Sequence, residues 1–296
     1  MTAQMIEGIE VTRPDVEPIT STILDHFPLV VNPKFGLRNN EGVWNSYNCL
    51  DLLVPTPTCA NPLIEMDYKD FKFASWVPAY EFAVHGGVQC MAVGLDVADQ
   101  KAEVERVFGL TEHRGIEQSL LYNRFEANPV DVSSDAGVNP YDSEWEAPED
   151  ITPVGSNLPL TVAVAMLEGH AAANYAGLPV LHLPRAAATI LEGAGVLKWE
   201  GDLAYTKNGS RVVMGGGYDD PTMLASGQWD LFATGEIAIE ATDLVGPFQQ
   251  YVIPGDGSGV GSDENGLPDN TVITLVERVY RVMVDCYTAK ITAKVF

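Results

Sequence analysis

Apolar and polar positions follow readable periods along several stretches of the chain, and the clearest runs from Leu158 to Tyr218. Leu160, Val164, Leu167 and Ala171 recur at helical spacing, predicting a helix opened by Pro159, whose fixed φ and missing N–H suit a first position, and stopped by Gly177. Val180 to Leu183 is an apolar run between breakers, too short for a helix, and predicts a buried strand. Pro184 opens a second helix, ended by Gly193 and Gly195. Beyond it LAYTK and SRVVM flank Asn208-Gly209, a pair that tolerates two positive φ values and predicts a tight hairpin. The stretch therefore reads as a compact α+β unit.

The longest helical signal is Asp96 to Phe125, where Val104, Phe108, Ile116 and Leu120 share one i, i+4 row with Glu112 between them, and Val107 and Leu121 widen the stripe. Asp96 or Asp99 can cap its start and Pro129 lies past its end. A continuous helix of about 30 residues would be a rod near 45 Å long, in need of support along its side. Gly109 and Gly115 each cost about 1 kcal/mol relative to alanine inside a helix, which predicts a bend or two consecutive helices. Upstream, Leu50 to Leu95 turns toward strands, with DYKDFKF alternating charged and aromatic residues before Trp76, Tyr80 and Phe82. Such an aromatic hairpin needs a surface on its own domain or on an adjacent subunit. Leu231–Thr234 and Glu236–Glu240 predict two short strands meeting at Gly235. Thr271 to Phe296 reads as one long apolar strand, central to a sheet and paired with strands near residues 84 to 94. Residues 1 to about 50 carry Pro14, Pro18, Pro28, Pro33 and little periodicity. Apolar clusters at Ile23-Leu24, Phe27, Leu29-Val30-Val31 and Trp44 favour an arm that folds on a neighbour over a solvated tail. Acidic, turn-rich stretches at Asn128–Asn157 and Ile253–Asn270 read as surface connections.

Composition narrows the function. With 296 residues, 46% hydrophobic and 20% charged, the chain can bury a large core. Its 41 acids against 17 bases give a formal charge of −24, and no Lys or Arg occurs from Phe125 to Pro184. Phosphate recognition needs clustered bases, so sequence-specific nucleic-acid binding is excluded. The charge fits solubility, a surface that does not adsorb DNA, or halophilic adaptation. No apolar run is long enough to span a membrane, and the N-terminus has no signal-peptide pattern. The four cysteines, Cys49, Cys59, Cys90 and Cys286, form no C-x-x-C pair and are expected to be reduced thiols.

Catalytic patterns are missing. There is no phosphate loop, no G-x-S-x-G elbow and no H-E-x-x-H. Gly193-Ala194-Gly195 and Gly215-Gly216-Gly217 read as turns, and the Asp256–Asp263 loop lacks calcium-loop spacing. His26, His85, His113, His170 and His182 have no second ligand at metal spacing and read as structural. Glu112, His113, Arg114 and Glu117 point in several directions on a helix, which reads as ion pairing under a packed rod. The expectation is no enzyme, no cofactor and no metal.

The string LPRAAATILEGAGVLKWEGDLAYTKNGSRVVMGGGY, the strand VLHL before it and WDLFATG after it resemble the axial domain of tailed-bacteriophage major capsid proteins, the HK-97-like capsid fold. The likeness covers roughly residues 60 to 296. It implies an α+β chain with an N-terminal arm (1–50), an extended loop and entry strands (51–95), a spine helix with peripheral domain (96–157), an axial domain (158–250) and return strands of the peripheral domain (251–296). The implied function is a virion shell subunit, assembled in the host cytoplasm into hexamers and pentamers of itself around double-stranded DNA. Scaffolding, portal and decoration proteins are the further partners the family implies. Assembly contacts would come from Phe27 and Trp44 of the arm and from Tyr68, Lys69, Phe71, Phe73, Trp76 and Tyr80 of the loop. Some members cross-link a Lys to an Asn between subunits; Lys69 and Lys72 lie in the loop, but no Asn can be nominated. The other readings are a bacterial compartment shell of encapsulin type and, in a different class, an acidic cytosolic hydrolase. Screening confines the charge repulsion between copies to about 8–10 Å. Interfaces of about 1,600 Å² outweigh it.

Overall fold

A computed structural model describes residues 17–32, 43–46, 75–78, 80–91, 97–121, 148–155, 157–219, 225–251 and 271–295. The chain begins with a short helix α1 (Ile23–His26) and strand β1 (Val30–Val31), then β2 (Val43–Ser46), β3 (Ser75–Pro78), β4 (Tyr80–Met91) and the long helix α2 (Val97–Leu120). After β5 (Glu149–Asp150) come α3 (Leu160–Asn174), β6 (Val180–His182), α4 (Arg185–Gly193), β7 (Leu197–Glu200), β8 (Leu203–Thr206) and β9 (Arg211–Val213). The chain ends through β10 (Gln228–Thr234), β11 (Ile237–Ala241), β12 (Val245–Tyr251), β13 (Thr271–Val284) and β14 (Thr288–Lys294).

Two sheets carry the fold. In the five-stranded sheet β13 is central, with β4 along one side over twelve paired positions and β12 and β11 end to end along the other; β1 adds parallel to β11. The expected pairing of the terminal strand with residues 84–94 is thus present. The seven-stranded sheet runs β5-β14-β10-β6-β9-β8-β7 and holds the unit read from the sequence between Leu158 and Tyr218. A two-stranded ribbon pairs β2 with β3. The terminal run is not one strand. It breaks at Asp285–Tyr287, so that β13 stays in one sheet and β14 enters the other beside β10. The strands on either side of Gly235 divide the same way, β10 to the seven-stranded sheet and β11 to the five-stranded one. The two crossings lie side by side, joined by Gly235 N–H to the Tyr287 carbonyl at 2.8 Å and Asp285 N–H to the Glu236 carbonyl at 2.9 Å. Sequence reading missed this because a three-residue break carries no proline or glycine signal.

The helix row predicted for α2 holds: Val104, Phe108, Ile116 and Leu120 are all buried, and so are Glu112 and Leu121. The helix is a continuous 24-residue rod, about 36 Å long, with no division at Gly109 or Gly115. A Cβ at Gly115 would stand 2.6 Å from Val84, so this glycine allows the helix to approach β4 closely, an advantage that offsets its low propensity. In the other unit, Leu160, Val164, Leu167 and Ala171 of α3 are buried on the core that α4 and strands β10 and β14 complete. Each fully buried leucine there contributes about 2 kcal/mol. The hairpin β8–β9 forms as predicted, with one difference in its turn. Only Gly209 takes a positive φ, at 102°, while Asn208 sends its amide to Glu168 at 2.8 Å.

Candidate functional site

The residues expected to touch neighbours divide into three groups. Phe27 is corrected: it is 4% exposed and packs within its own chain, with the Arg211 guanidinium 5.0 Å above its ring. Residues 19–32 as a whole fold back on the chain. Ile23 is fully buried against Ile116 and Leu120, and β1 extends the five-stranded sheet. Trp44, Trp76 and Tyr80 lie on described strands: Trp44 opposite Val77 and Trp76 opposite Asn45 in the β2–β3 ribbon, Tyr80 opposite Val282 at the start of β4. The sequence did not foresee that residues 43–46 would pair with 75–78, because a separation of some thirty residues leaves no local signal. Tyr68, Lys69, Phe71, Phe73 and Lys72 lie outside the described residues.

A surface that the sequence reading did not nominate is visible on the five-stranded sheet. Along β13, Thr274 and Val276 point into the core under α2, where Val276 meets Val104 and Phe108. Leu275 alternates with them and faces the other way, 39% exposed. Its register partner on β12 is Phe248, 58% exposed, and Val245 beside it pairs with Glu277 and is 41% exposed. The three form an apolar patch on the face turned away from α2. The alternation of TVITLVERV was legible as a strand, but which of its faces would stay bare depends on where α2 packs.

The polar residues with any claim to chemistry are occupied by structure. Glu112 pairs with Arg278 at 2.7 Å, and His113 Nε2–H donates to the Gly215 carbonyl at 2.9 Å. Glu117 accepts from the backbone N–H of Ile23 at 3.0 Å and of Gly217 at 2.9 Å. Burial drives the Glu117 carboxyl up to about 8 despite these donors. His182 lies between the Tyr218 hydroxyl at 2.7 Å and Thr234 Oγ1 at 3.0 Å, and desolvation pushes it down to about 3. His26 donates to the Val212 carbonyl at 3.0 Å, and burial lowers both it and His113. His170 reaches the Tyr287 hydroxyl at 3.2 Å. Among the described residues no three His, Cys, Asp or Glu gather as metal ligands, and no helix is long and apolar enough to cross a membrane. One expectation fails: Cys286 is not a free thiol but disulfide-bonded, brought to its partner by the fold rather than by sequence spacing.

The chain's sequence matches no protein-family model and no curated protein. Its structure is similar to that of the holo-SrpI encapsulin complex from Synechococcus elongatus, with 13% identity, a TM-score of 0.47, and 97% of this chain and 92% of that chain covered. It is also similar to a chain of Gordonia phage Cozz, with 11% identity, a TM-score of 0.47, and coverage of 98% and 92%. The capsid of Ralstonia phage GP4 is similar at 9% identity and a TM-score of 0.45, with 100% and 98% covered.

Proposed function

We propose that this chain is the major capsid protein of a tailed bacteriophage, a structural subunit whose copies close into an icosahedral head around double-stranded DNA. In this reading the five-stranded sheet with α2 is the peripheral domain and its spine helix, and the seven-stranded sheet is the axial domain. The β2–β3 ribbon is the base of the extended loop. The observation that carries the proposal is the apolar patch of Val245, Phe248 and Leu275, exposed together on one sheet face of a chain of charge −24. Monomeric proteins rarely leave large side chains clustered on a sheet face, and contact with further copies is the use that fits a shell. The sequence resemblance supplies the kind of assembly.

Sizing and negative-stain imaging of the purified protein test the proposal. Megadalton closed particles are expected, and a 32.0 kDa monomer at micromolar concentration and physiological salt overturns it. DNA content and particle radius then separate a phage head from a protein compartment.

A further inference from the structure

Glu117 is fully buried, yet it is a carboxyl, and three chain segments converge on it. It projects from α2 toward the loop Gly215–Gly217 and the segment Thr20–Phe27. A Cβ at Gly215 would overlap its carboxyl oxygens, and one at Gly217 would overlap its own Cβ and stand 2.8 Å from the Arg114 carbonyl. Two glycines thus form a cradle that only a side chain in this place fills. On the other side the Thr20–Phe27 segment is drawn tight. Ser21 holds a φ of 59°, rare for a residue with a side chain. Its Oγ–H donates to the Val212 carbonyl at 2.7 Å, and its carbonyl accepts from Met214 N–H at 2.9 Å. The Ile23 N–H closes the segment onto Glu117 itself.

We propose that Glu117 is the pin of a clasp, holding the Thr20–Phe27 segment and the Gly215–Gly217 loop against α2 while it is neutral and loosening them when it ionises. The inference concerns the single chain and stands whether or not copies assemble. Glu117 is wholly buried in the closed cradle, so the charged carboxylate gains more from opening than its backbone donors return. An open, hydrated Glu117 ionises near its ordinary value of 4.5, and the closed one only near 8. Between those limits each pH unit raises the opening equilibrium about tenfold.

Asp219 and Tyr218 of the loop interact with the pin, and other charged or titratable groups lie on the elements packed around it: Glu112, His113 and Arg114 on its own helix, Asp25 and His26 on the clasp, and Arg185, bonded to the Thr20 carbonyl. His26 and His113 are held below 6.5, and Tyr218 well above its usual range. Burial brings Glu117, at about 8, to the upper end of the window from pH 6.5 to 8.

Amide hydrogen exchange of the full chain reads the device. Intrinsic exchange rises about tenfold per pH unit, so the Ile23 and Gly217 amides should accelerate about a hundredfold per unit between pH 6.5 and 8, against tenfold for an opening that ignores pH. Amides of the central strand β10, such as Leu231 and Phe232, should exchange more slowly than both. In Glu117→Gln, which carries no charge at any pH, the slope at Ile23 and Gly217 should fall to tenfold. A tenfold slope in the unaltered protein overturns the proposal, as does a hundredfold slope that survives in Glu117→Gln. Exchange of Leu231 and Phe232 at the same rate as Ile23 would show global unfolding in place of a clasp, and also overturns it.

Discussion

One substitution made at two glycines should act with opposite sign. At Gly217 a methyl group meets the backbone of α2, with the Arg114 carbonyl at 2.8 Å and the Gln118 nitrogen at 2.9 Å, besides the Glu117 side chain. Backbone atoms of a packed helix cannot rotate away, so either α2 or the loop must shift, and the Gly217 N–H bond to Glu117 is strained with it. Overpacking of this kind costs about 1–3 kcal/mol, and a stretched bond to a buried acceptor adds about 1. Gly217→Ala should therefore destabilise the chain by about 3 kcal/mol. At Gly109, within the same helix, a Cβ meets nothing within 4 Å. Gly109→Ala should stabilise by up to about 1 kcal/mol through helix propensity alone. For a chain of this size 1 kcal/mol moves Tm by about 2 °C, so the two variants should melt about 8 °C apart. Urea unfolding of unassembled subunits, with circular dichroism as readout, measures both. If Gly217→Ala unfolds within 0.5 kcal/mol of the unaltered chain, the cradle is not tight and the reasoning about Glu117 loses its geometry.

Phe248→Asp combined with Leu275→Asp should leave the subunit folded, since the two side chains are already 58% and 39% exposed, and should abolish particles on a sizing column; intact particles would remove the patch from the interface. Glu112→Ala leaves Arg278, 18% exposed at its side chain, without its anion and should cost about 3 kcal/mol, while the double change Glu112→Ala with Arg278→Met should cost less than the sum of the singles. Stability should peak near pH 6.5. His26, His113 and His182 are lowered, so their contribution is complete above 6.5 and lost as pH falls; Glu117 is raised, so its contribution is complete below 4.5 and lost as pH climbs toward 8. A urea midpoint that rises steadily from pH 6.5 to 8.5 would contradict that sign.

What could be read from the sequence was whatever a local period encodes. The α2 row, the proline-opened helices α3 and α4, the strand Val180–His182 and the hairpin around Gly209 all depend on neighbours a few residues apart, and they appear close to where the pattern puts them. What depended on distant packing was not legible. Phe27 looked like a side chain in search of a neighbour, because nothing nearby announces that Arg211 and Ile116 will cover it. Cys286 looked free for the same reason. The triglycine read as a turn, which it is, yet its second purpose exists only because Glu117, a hundred residues earlier, needs the room. The patch at Phe248 escaped because a strand's pattern marks two faces without naming the one a helix will take.

The buried polar row of α2 explains how the two sheets are fixed to one another. Among the described residues the chain passes between them at Gly235 and at Asp285–Tyr287, and a shared apolar core runs from Val180, Val213 and Phe232 to Ile237, Tyr280 and Val282. The helix adds directional contacts to both. Glu112 reaches β13 of the five-stranded sheet through Arg278, while His113 and Glu117 reach the Gly215–Gly217 loop of the other unit. Apolar contacts such as Ile116 on Tyr280 tolerate sliding, because their attraction has no direction. Hydrogen bonds from fixed backbone groups do not, since they weaken steeply with misalignment. The angle between the sheets is thus set by a few directional contacts on one helix face, and those contacts include groups that titrate. A shell built from such subunits would take its local curvature from that angle, so a change at Glu117 should alter particle diameter before it alters the fold of either sheet.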